Sequence, residues 1–219
     1  MEIVYEDESI LVVNKPAGIL SIQDGYNSDL PHVRTFLEPE YGKLWIVHRL
    51  DKETSGILLL ARNSESHKFL NDQFSQREIK KEYHAVIEGS LMEDVVSAEY
   101  PLKINGDRKH RTVINTQIGK SACTVFRIQK KSDELSLVSA YPETGYRHQI
   151  RTHLSALNHP ILGDLLYGSK DELFTKFSDL IQRLALHSYQ ITFLHPISKN
   201  TINLCATYPQ DFSLLVNHI

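Results

Sequence analysis

The sequence has few cysteines and no long hydrophobic run. Its two cysteines, Cys123 and Cys205, lie apart and form no Cys-x-x-Cys pair, so neither a disulfide framework nor a zinc site is predicted. Both lie in strand-like patterns, where we expect small buried hydrophobic residues. No apolar run approaches the roughly 20 residues that a membrane-spanning helix needs, and residues 1–8 are acidic where a signal peptide would be basic. We therefore expect a protein of the reducing cytoplasm with no membrane partner.

The common nucleotide and metal signatures are missing as well. Gly119-Lys120-Ser121 matches the end of a P-loop, but the glycine that this phosphate cradle needs five positions earlier is Ile114 here. The 11 histidines include no His-Glu-x-x-His pair, and no Gly-x-Ser-x-Gly elbow occurs. The sequence therefore gives no support to ATP, NAD or zinc chemistry.

The composition is that of an ordinary globular protein. With 219 residues, 41% of them hydrophobic and 23% charged, the chain can bury one generous core. The net charge of −3 argues mildly against a nucleic-acid partner. Positive charge is nevertheless concentrated, since residues 103–111 carry four Lys or Arg against one Asp, and a second group follows. Most basic runs are solvated faces, but this second group combines Arg147, His148, Arg151 and His153.

Several segments have the alternating or β-branched pattern of strands. They outnumber the helical segments and do not alternate with them regularly. An α+β fold with a mainly antiparallel sheet is therefore favoured over a doubly wound fold. The strands are expected over residues 10–13, 81–89, 122–128, 134–141, 186–194 and 200–206.

Three segments have helical periodicity. Asn63 or Ser64 can cap the first of them. Leu70 and Phe74 belong to its apolar stripe. Residues 22–45 are polar and rich in Gly, Pro, Asn and Asp, which predicts irregular structure. The helices are expected over residues 65–76, 147–158 and 172–184.

The block His-Arg-Leu-Asp-Lys-Glu-Thr-Ser-Gly at residues 48–56 is the most informative part of the chain. It places Asp51 at the start of an apolar run, residues 57–61, that is typical of a buried strand. A charged group is rarely placed against a core without a reason. From this block alone, an Asx turn leading into the strand explains Asp51 as well as a functional role does.

Three further blocks extend this pattern. They are Val-Asn-Lys-Pro-Ala-Gly-Ile-Leu-Ser at residues 13–21, Arg-Glu-Ile-Lys-Lys-Glu-Tyr at 77–83, and a segment at 143–168 that contains His-Gln-Ile-Arg-Thr-His and His-Pro-Ile-Leu-Gly-Asp. Taken in this order, the four blocks resemble the RluA-type family of RNA pseudouridine synthases. The resemblance covers roughly residues 5 to 210, and blocks this specific in this order rarely arise by chance.

The resemblance implies an enzyme that isomerises a uridine within RNA by breaking its N1–C1′ bond and rejoining the ring through C5. Asp51 matches the catalytic Asp of the family, Tyr83 its active-site Tyr, and Arg151 the Arg that pairs with the catalytic carboxylate. A nucleophilic carboxylate must be ionised, and a guanidinium favours the ionised form. The family needs no cofactor and no metal, so none is expected.

The family also implies a fold and a domain organisation. The implied pseudouridine synthase fold is a bent, mostly antiparallel mixed sheet flanked by helices, with a central active-site cleft. We expect a single catalytic domain over residues 1–219, without the N-terminal S4 domain that many members carry. Monomer is the default expectation, and no obligate protein partner is evident.

Structured RNA, either rRNA or tRNA, is the implied partner. The target base must be extruded into the pocket, and Arg49 is placed to fill the space that it leaves. The basic loop corresponds to an RNA-gripping insertion in relatives and would make salt-dependent phosphate contacts. His48 and Thr54 are also expected to shape the turn that presents Asp51. Substrate-binding residues are predicted at Arg49, His48, Thr54, Lys103, Arg108, Lys109, Arg111, Arg147, His148 and Gln149.

The chain departs from the family pattern at one place, and several alternatives stay open. Members usually read Gly-Arg-x-His-Gln where this chain has Gly-Tyr-Arg-His-Gln, so Tyr146 replaces the first basic residue. The sequence does not decide whether Asp51 attacks the sugar, attacks the base or deprotonates the ribose. A non-catalytic RNA-binding protein or RNA chaperone on the same fold, and an Asp-dependent nucleoside hydrolase, are the competing functions.

Overall fold

The computed structural model describes residues 1–219, which divide into two compact units. Unit 1 comprises Met1–Lys81 and His187–Tyr208, and unit 2 comprises Glu82–Leu186 and Pro209–Ile219. In chain order the strands are β1 (Glu2–Glu6), β2 (Ile10–Lys15), β3 (Trp45–Ile46), β4 (Ser55–Ala61), β5 (Lys80–Glu88), β6 (Val95–Glu99), β7 (Leu102–Lys103), β8 (Val113–Ile114), β9 (Cys123–Lys131), β10 (Leu135–Pro142), β11 (Leu186–Leu194) and β12 (Thr201–Cys205). The helices are α1 (Val33–Tyr41), α2 (Ser64–Ser75), α3 (Gln149–Ala156), α4 (Asp171–Lys176) and α5 (Gln210–His218).

Unit 1 is built on a mixed sheet around β4. Strand β2 pairs with β1 and with β4 in antiparallel fashion, whereas β4 and β11 run parallel. The short strand β3 pairs with β4, and β12 pairs with β11, both antiparallel. Every residue of β4 is buried, which explains its unbroken apolar run. Leu70 of α2 packs with Ile57 and Leu59 of β4 in the core of the unit.

Unit 2 contains the antiparallel strands β5, β10, β9 and β6, paired in that order. Its core includes Val86 of β5, Val138 of β10 and Phe126 of β9, all fully buried. Helix α3 contributes the fully buried Leu154. Strands β7 and β8 form a separate two-stranded ribbon.

The α+β fold class with a mixed, mostly antiparallel sheet is confirmed. The structure also has each predicted strand within a few residues of its expected position. Helix α2 begins as predicted, because the Asn63 side chain accepts a hydrogen bond of 2.8 Å from the Ser66 N–H. The single catalytic domain over residues 1–219 stays a prediction. No helix has the length and apolar character required to span a membrane.

Two secondary-structure predictions were wrong. Residues 22–45 are not all irregular, since α1 lies within them. Its Pro39 and its polar composition conceal a short helix that buries only Val33 and Leu37. The helix expected over 172–184 ends at Lys176, and turns follow.

The expectation for the cysteines was also wrong in part. Cys205 is exposed and Cys123 is partly buried, and neither forms a disulfide. Cys205 ends β12, whose alternate residues are exposed, so the same alternation that predicts a strand places this thiol on its outer face.

Candidate active site

The backbone after Asp51 is fixed by a buried lysine. Lys15, at the end of β2, is fully buried. Its Nζ donates hydrogen bonds to the carbonyl oxygens of Pro16 at 2.9 Å, Ile19 at 2.8 Å and Lys52 at 3.2 Å. The Gly18 N–H also donates to the Lys52 carbonyl, at 2.9 Å. The turn of the first sequence block is thereby joined to the residue that follows Asp51.

The residue before Asp51 is fixed in the same way. The Ser21 hydroxyl donates to the Leu50 carbonyl at 2.9 Å and accepts from the Leu50 N–H at 3.0 Å. The Thr54 N–H closes the following turn on the Asp51 carbonyl at 3.1 Å. The first two sequence blocks therefore form one local structure, which we call the Asp51 cradle and define as residues 15–21 and 50–54. It presents a partly buried carboxylate on a backbone held from both sides.

His48 has a structural task within unit 1. Its Nε2 accepts a hydrogen bond of 2.9 Å from the Leu59 N–H, and its ring stacks on Phe74 with centroids 5.0 Å apart. An accepting Nε2 requires the neutral imidazole. Burial, together with the positive charge of Lys81, lowers the pKa of His48 to about 3. His48 thus anchors the chain entering the cradle, and its contact with RNA stays a prediction.

The end of the Thr-Ser-Gly turn is packed tightly against β11. The Ser55 hydroxyl lies 2.9 Å from Nδ1 of His187. Gly56 has a φ of +111°, and a Cβ there would lie 2.1 Å from the Ser188 carbonyl oxygen. Thr54 is buried, and its Oγ1 has no hydrogen-bond partner. Arg49, by contrast, is exposed.

Tyr83 lies on β5 opposite Ala140 of β10 and is partly buried. Its neighbour Glu82 accepts hydrogen bonds from His84 at 2.9 Å and Tyr141 at 3.0 Å, and Ser139 donates to the same oxygen at 2.8 Å. Burial lowers the pKa of His84. Because side chains alternate along a strand, this polar cluster and Tyr83 lie on opposite faces of β5.

Arg151 is held by Asp164, for which the sequence predicts no role. Its Nε and Nη2 donate to Oδ2 and Oδ1 of Asp164 at 2.7 and 2.8 Å. The Asp164 side chain is completely buried, and the Arg151 guanidinium lies 4.9 Å from the centroid of the Tyr167 ring. The Gly-Asp pair at residues 163–164 is the sequence feature that could have indicated a role for Asp164. It follows α3, but it does not indicate that Asp164 binds Arg151. Asp51 belongs to unit 1 and Arg151 to unit 2, and their pairing stays a prediction.

The two predicted basic groups meet in unit 2. Nη1 of Arg147 donates to Oδ1 of Asn105 at 2.9 Å, which ties the residue before α3 to the basic loop at residues 103–111. Arg111 pairs with Asp107 at 2.6 Å and also donates to the Leu166 carbonyl at 3.2 Å. Arg108 and Lys109 are exposed at the tip of the loop, and Lys103 is partly buried on β7.

The remaining predicted substrate contacts lie at the start of α3. His148 caps the helix in the left-handed region with a φ of 56°, and its Nδ1 lies 3.0 Å from the Tyr167 hydroxyl. Gln149 is buried, and its amide donates to the Cys123 carbonyl at 2.9 Å and accepts from the Thr144 hydroxyl at 2.6 Å. These internal contacts favour a structural task for Gln149, and its RNA contact stays a prediction. The helix predicted from residue 147 begins two residues later, so Arg147 precedes it.

No cluster of three or more His, Cys, Asp or Glu side chains is arranged to hold a metal ion. The titratable groups described above are instead used in pairs and small networks. The arrangement offers a carboxylate on a fixed backbone in unit 1, and a fixed guanidinium beside a basic loop in unit 2. The guanidinium and the basic loop suit the binding of an anionic polymer, and the carboxylate is a group that can act as nucleophile or base.

Comparisons with known proteins agree with this chemistry. The sequence model of the family described as RNA pseudouridylate synthase matches residues 9–156. The chain is 37% identical over 221 residues to the ribosomal large subunit pseudouridine synthase C of Buchnera aphidicola subsp. Acyrthosiphon pisum, covering 99% of this chain and 70% of that relative. It is 33% identical to the tRNA pseudouridine synthase C of Pasteurella multocida, covering 99% of this chain and 95% of the relative. Among solved structures it is similar to human RNA pseudouridylate synthase domain containing 4, with a TM-score of 0.81 at 25% identity over 99% of this chain and 92% of the other.

Proposed function

Because the chain belongs to the RNA pseudouridylate synthase family, we propose that Asp51 is the catalytic carboxylate with which it acts on uridine. The protein is an RluA-type RNA pseudouridine synthase, an isomerase of uridine in RNA. The observation that supports this role for Asp51 is the cradle, in which Lys15 and Ser21 fix the residues on both sides of it. A group held in one geometry before substrate arrives avoids the entropic cost of being ordered during the reaction.

The reaction needs no co-reactant. The N1–C1′ bond breaks, the uracil turns, and a C5–C1′ bond forms. The proton lost from C5 is balanced by one gained at N1, so the product is an isomer of the substrate. Asp51 is the side chain that acts in the step in which the glycosidic bond breaks. Arg151 favours the ionised form of the Asp51 carboxylate, and the Tyr83 ring stacks on the uracil. The Tyr83 hydroxyl takes part in removing the C5 proton.

RNA binding supplies the extruded base. Unstacking a base costs a few kcal/mol and is cheapest in loops, so we expect an unpaired or weakly paired uridine in structured RNA. The exposed Arg49 fills the vacated space. The contact between Arg147 and Asn105 supports a common phosphate-binding surface of the basic loop and the start of α3.

The names of the relatives concern the choice of RNA substrate. One relative is named for the large ribosomal subunit and another for transfer RNA, so we propose that the substrate of this chain is one of these two RNAs. We propose a single catalytic domain that acts in the cytoplasm as a monomer, where these RNAs are present.

The test replaces Asp51 while keeping its shape. Transcribed rRNA and tRNA are incubated with wild type, Asp51→Asn and a control, Asp72→Asn, which removes an exposed carboxylate from α2. Pseudouridine is mapped by carbodiimide adducts and primer extension. Product from wild type and the control but not from Asp51→Asn, with RNA binding retained, is the expected result.

Three results would contradict the proposal. Modification by Asp51→Asn at the wild-type rate would remove Asp51 from the mechanism. Equal RNA binding without product from any of the three proteins would favour the RNA-chaperone alternative. Release of free uracil would indicate a nucleoside hydrolase.

A further inference from the structure

Two residues that the proposed mechanism does not use, Asp164 and Tyr167, contact the Arg151 guanidinium. We call this pair of residues the Arg151 seat, or the seat. We propose that Asp164 and Tyr167 are positioning residues that hold the Arg151 guanidinium in one orientation for the reaction. Asp164 engages its edge through the bidentate pair, and the Tyr167 ring covers its face. This inference rests on the proposed role of Arg151 and adds two residues to that site.

The edge contact determines the plane of the guanidinium. A paired fork of two N–H donors on two carboxylate oxygens is rigid as well as strong. The Asp164 side chain is fully buried and that of Arg151 is 11% exposed, so little water competes for the pair. An arginine has five N–H donors, and the pair uses one on Nε and one on Nη2. The Nη1 end is therefore directed away from Asp164, in a direction that Asp164 itself determines.

The face contact is rigid because the Tyr167 ring is held at both ends. Its backbone N–H donates to the Asp164 carbonyl at 3.0 Å, and its hydroxyl accepts from the Thr112 N–H at 2.8 Å. The same hydroxyl lies 3.0 Å from Nδ1 of His148. A cation that stacks on an aromatic face gains about 0.5 to 2 kcal/mol. The hydroxyl end of the ring is thus held against His148, which caps α3, the helix that carries Arg151.

The turn that carries the seat is itself constrained. The Asp164 N–H donates to the Ile161 carbonyl at 2.9 Å, and the Ser169 N–H donates to the Asp164 carbonyl at 3.0 Å. Gly163 has a φ of +79°, and a Cβ there would lie 2.5 Å from the Arg183 carbonyl oxygen. The turn therefore has little freedom to move Asp164 away from Arg151.

The seat also connects the basic loop to Arg151. Thr112 follows the loop directly, and its hydroxyl donates to the Arg147 carbonyl at 2.7 Å. Thr112 bonds Tyr167, and Tyr167 covers Arg151. A continuous chain of contacts thus runs from the end of the basic loop through Thr112 and Tyr167 to the Arg151 guanidinium.

A second pair of the same kind provides the control. Arg183 donates through Nε and Nη2 to Asp211 at 2.7 and 2.9 Å, which nearly repeats the geometry of Arg151 and Asp164 within the same unit. The hydrogen bonds of the Asp211 side chain go to Arg183 and Phe212, neither of which is a proposed site residue, and the side chain is 34% exposed whereas that of Asp164 is fully buried. Asp211→Asn therefore reports what is lost when a bidentate pair is weakened without a role in catalysis.

The experiment compares steady-state kinetics of Asp164→Asn, Asp211→Asn and Arg151→Lys on the RNA that the wild type modifies, after circular dichroism has confirmed folding. We expect kcat of Asp164→Asn to fall ~100-fold, since small misplacements of a catalytic group have effects of this size, with KM little changed. Asp211→Asn is expected to keep its kcat. Equal kcat values for these two variants would overturn the positioning role.

Two further comparisons make the result decisive. If Asp164→Asn does not fold, Tyr167→Phe and Tyr167→Leu replace it, because Phe keeps the ring face and Leu removes it. A kcat ~10-fold lower for Leu than for Phe supports the seat, and equal kcat values refute it. If Arg151→Lys is as active as wild type, the proposed role of Arg151 fails. If Arg151→Lys is inactive while the seat variants keep full kcat, only the present inference fails.

Discussion

A neutral imidazole at position 48 holds Leu59, in the second half of β4. Its Nε2 can accept the Leu59 N–H only while it carries no proton. Burial of His48 lowers its pKa to about 3, far below the ordinary value of 6.5. Protonation of His48, the first residue of the Asp51 block, therefore removes a hydrogen bond of the folded state and destabilises it.

The free energy of unfolding should consequently fall as the pH is lowered from about 6.5. The unfolded chain binds a proton at His48 near pH 6.5, whereas the folded chain does so only near pH 3, so protonation favours the unfolded state. The contribution of one such group is ~1.4 kcal/mol per pH unit within this window. Urea titrations between pH 6.5 and 5 measure it, above the range in which carboxylates titrate.

The variant His48→Gln keeps an acceptor but cannot take up the proton. It should reduce the slope of the pH dependence, part of which remains because burial also lowers the pKa of His153 to about 4. His110→Asn, at an exposed position, should leave the slope as in wild type. An unchanged slope for His48→Gln would show that position 48 does not contribute.

At the scale of elements, strands β4 and β11 of unit 1 pair in close contact at Gly56. Parallel pairing aligns Gly56 with Ser188, and the backbones approach too closely for any side chain at residue 56. The glycine of the Thr-Ser-Gly segment is therefore required by strand packing, and it follows the cradle, which ends at Thr54, by two residues.

Gly56→Ala should destabilise the protein by about 3 kcal/mol, from the clash with a backbone that cannot move aside and from a φ that alanine rarely adopts. Thermal unfolding measures the loss. Gly25→Ala is the control, since no atom lies within 4 Å of a Cβ there. Equal melting temperatures for the two variants would contradict the packing argument.

The elements also show what a sequence pattern can and cannot reveal. Strands β9, β10 and β11 were predicted because alternation and β-branching are local signals. Helix α1 was missed because Pro39 and its few buried residues weaken the helical signal. The segment 172–184 has apolar residues at helical spacing, but only its first part is helical. Phe177 is buried from a turn, and Ile181 and Leu184 are buried from a segment without regular secondary structure.

The site followed the same division. Asp51, Tyr83 and Arg151 were assigned from short blocks that resemble a family. No sequence pattern predicts the cradle or the seat, because Lys15 donates to a carbonyl 37 residues away and Arg151 to a carboxylate 13 residues away. Partners at such separations leave no periodic trace in a single sequence.

For the molecule as a whole, the net charge of −3 conceals a local concentration of positive charge. The basic loop is held in shape by Asp107, which accepts hydrogen bonds from the Arg111 and Lys109 backbone N–H groups at 3.0 Å each. Arg108 and Lys109 are thereby exposed on a folded loop rather than on a loose tail. Such a loop suits phosphate contacts that do not depend on base sequence.

Removing the charges of Arg108 and Lys109 should lower the affinity for RNA and also make that affinity less dependent on salt concentration. Because each phosphate contact contributes ~0.7 to 0.9 to the slope of log K against log salt concentration, Arg108→Ala with Lys109→Ala should reduce that slope by about 1.5. Filter binding over a series of salt concentrations measures it. The double variant Lys68→Ala with Lys131→Ala changes the net charge equally at exposed positions. An equal loss of slope in both would show that the loop holds no special place in binding.

Cys205 and Cys123 differ in a way that has practical use. Cys205 is exposed on β12, whereas burial raises the pKa of the partly buried Cys123 thiol and so leaves less of its reactive thiolate. A maleimide dye at neutral pH should therefore attach to Cys205 in unit 1 first, without any engineered cysteine. The native chain thus carries its own attachment point for a fluorescent reporter, and RNA titrations by anisotropy can be done on the unaltered sequence.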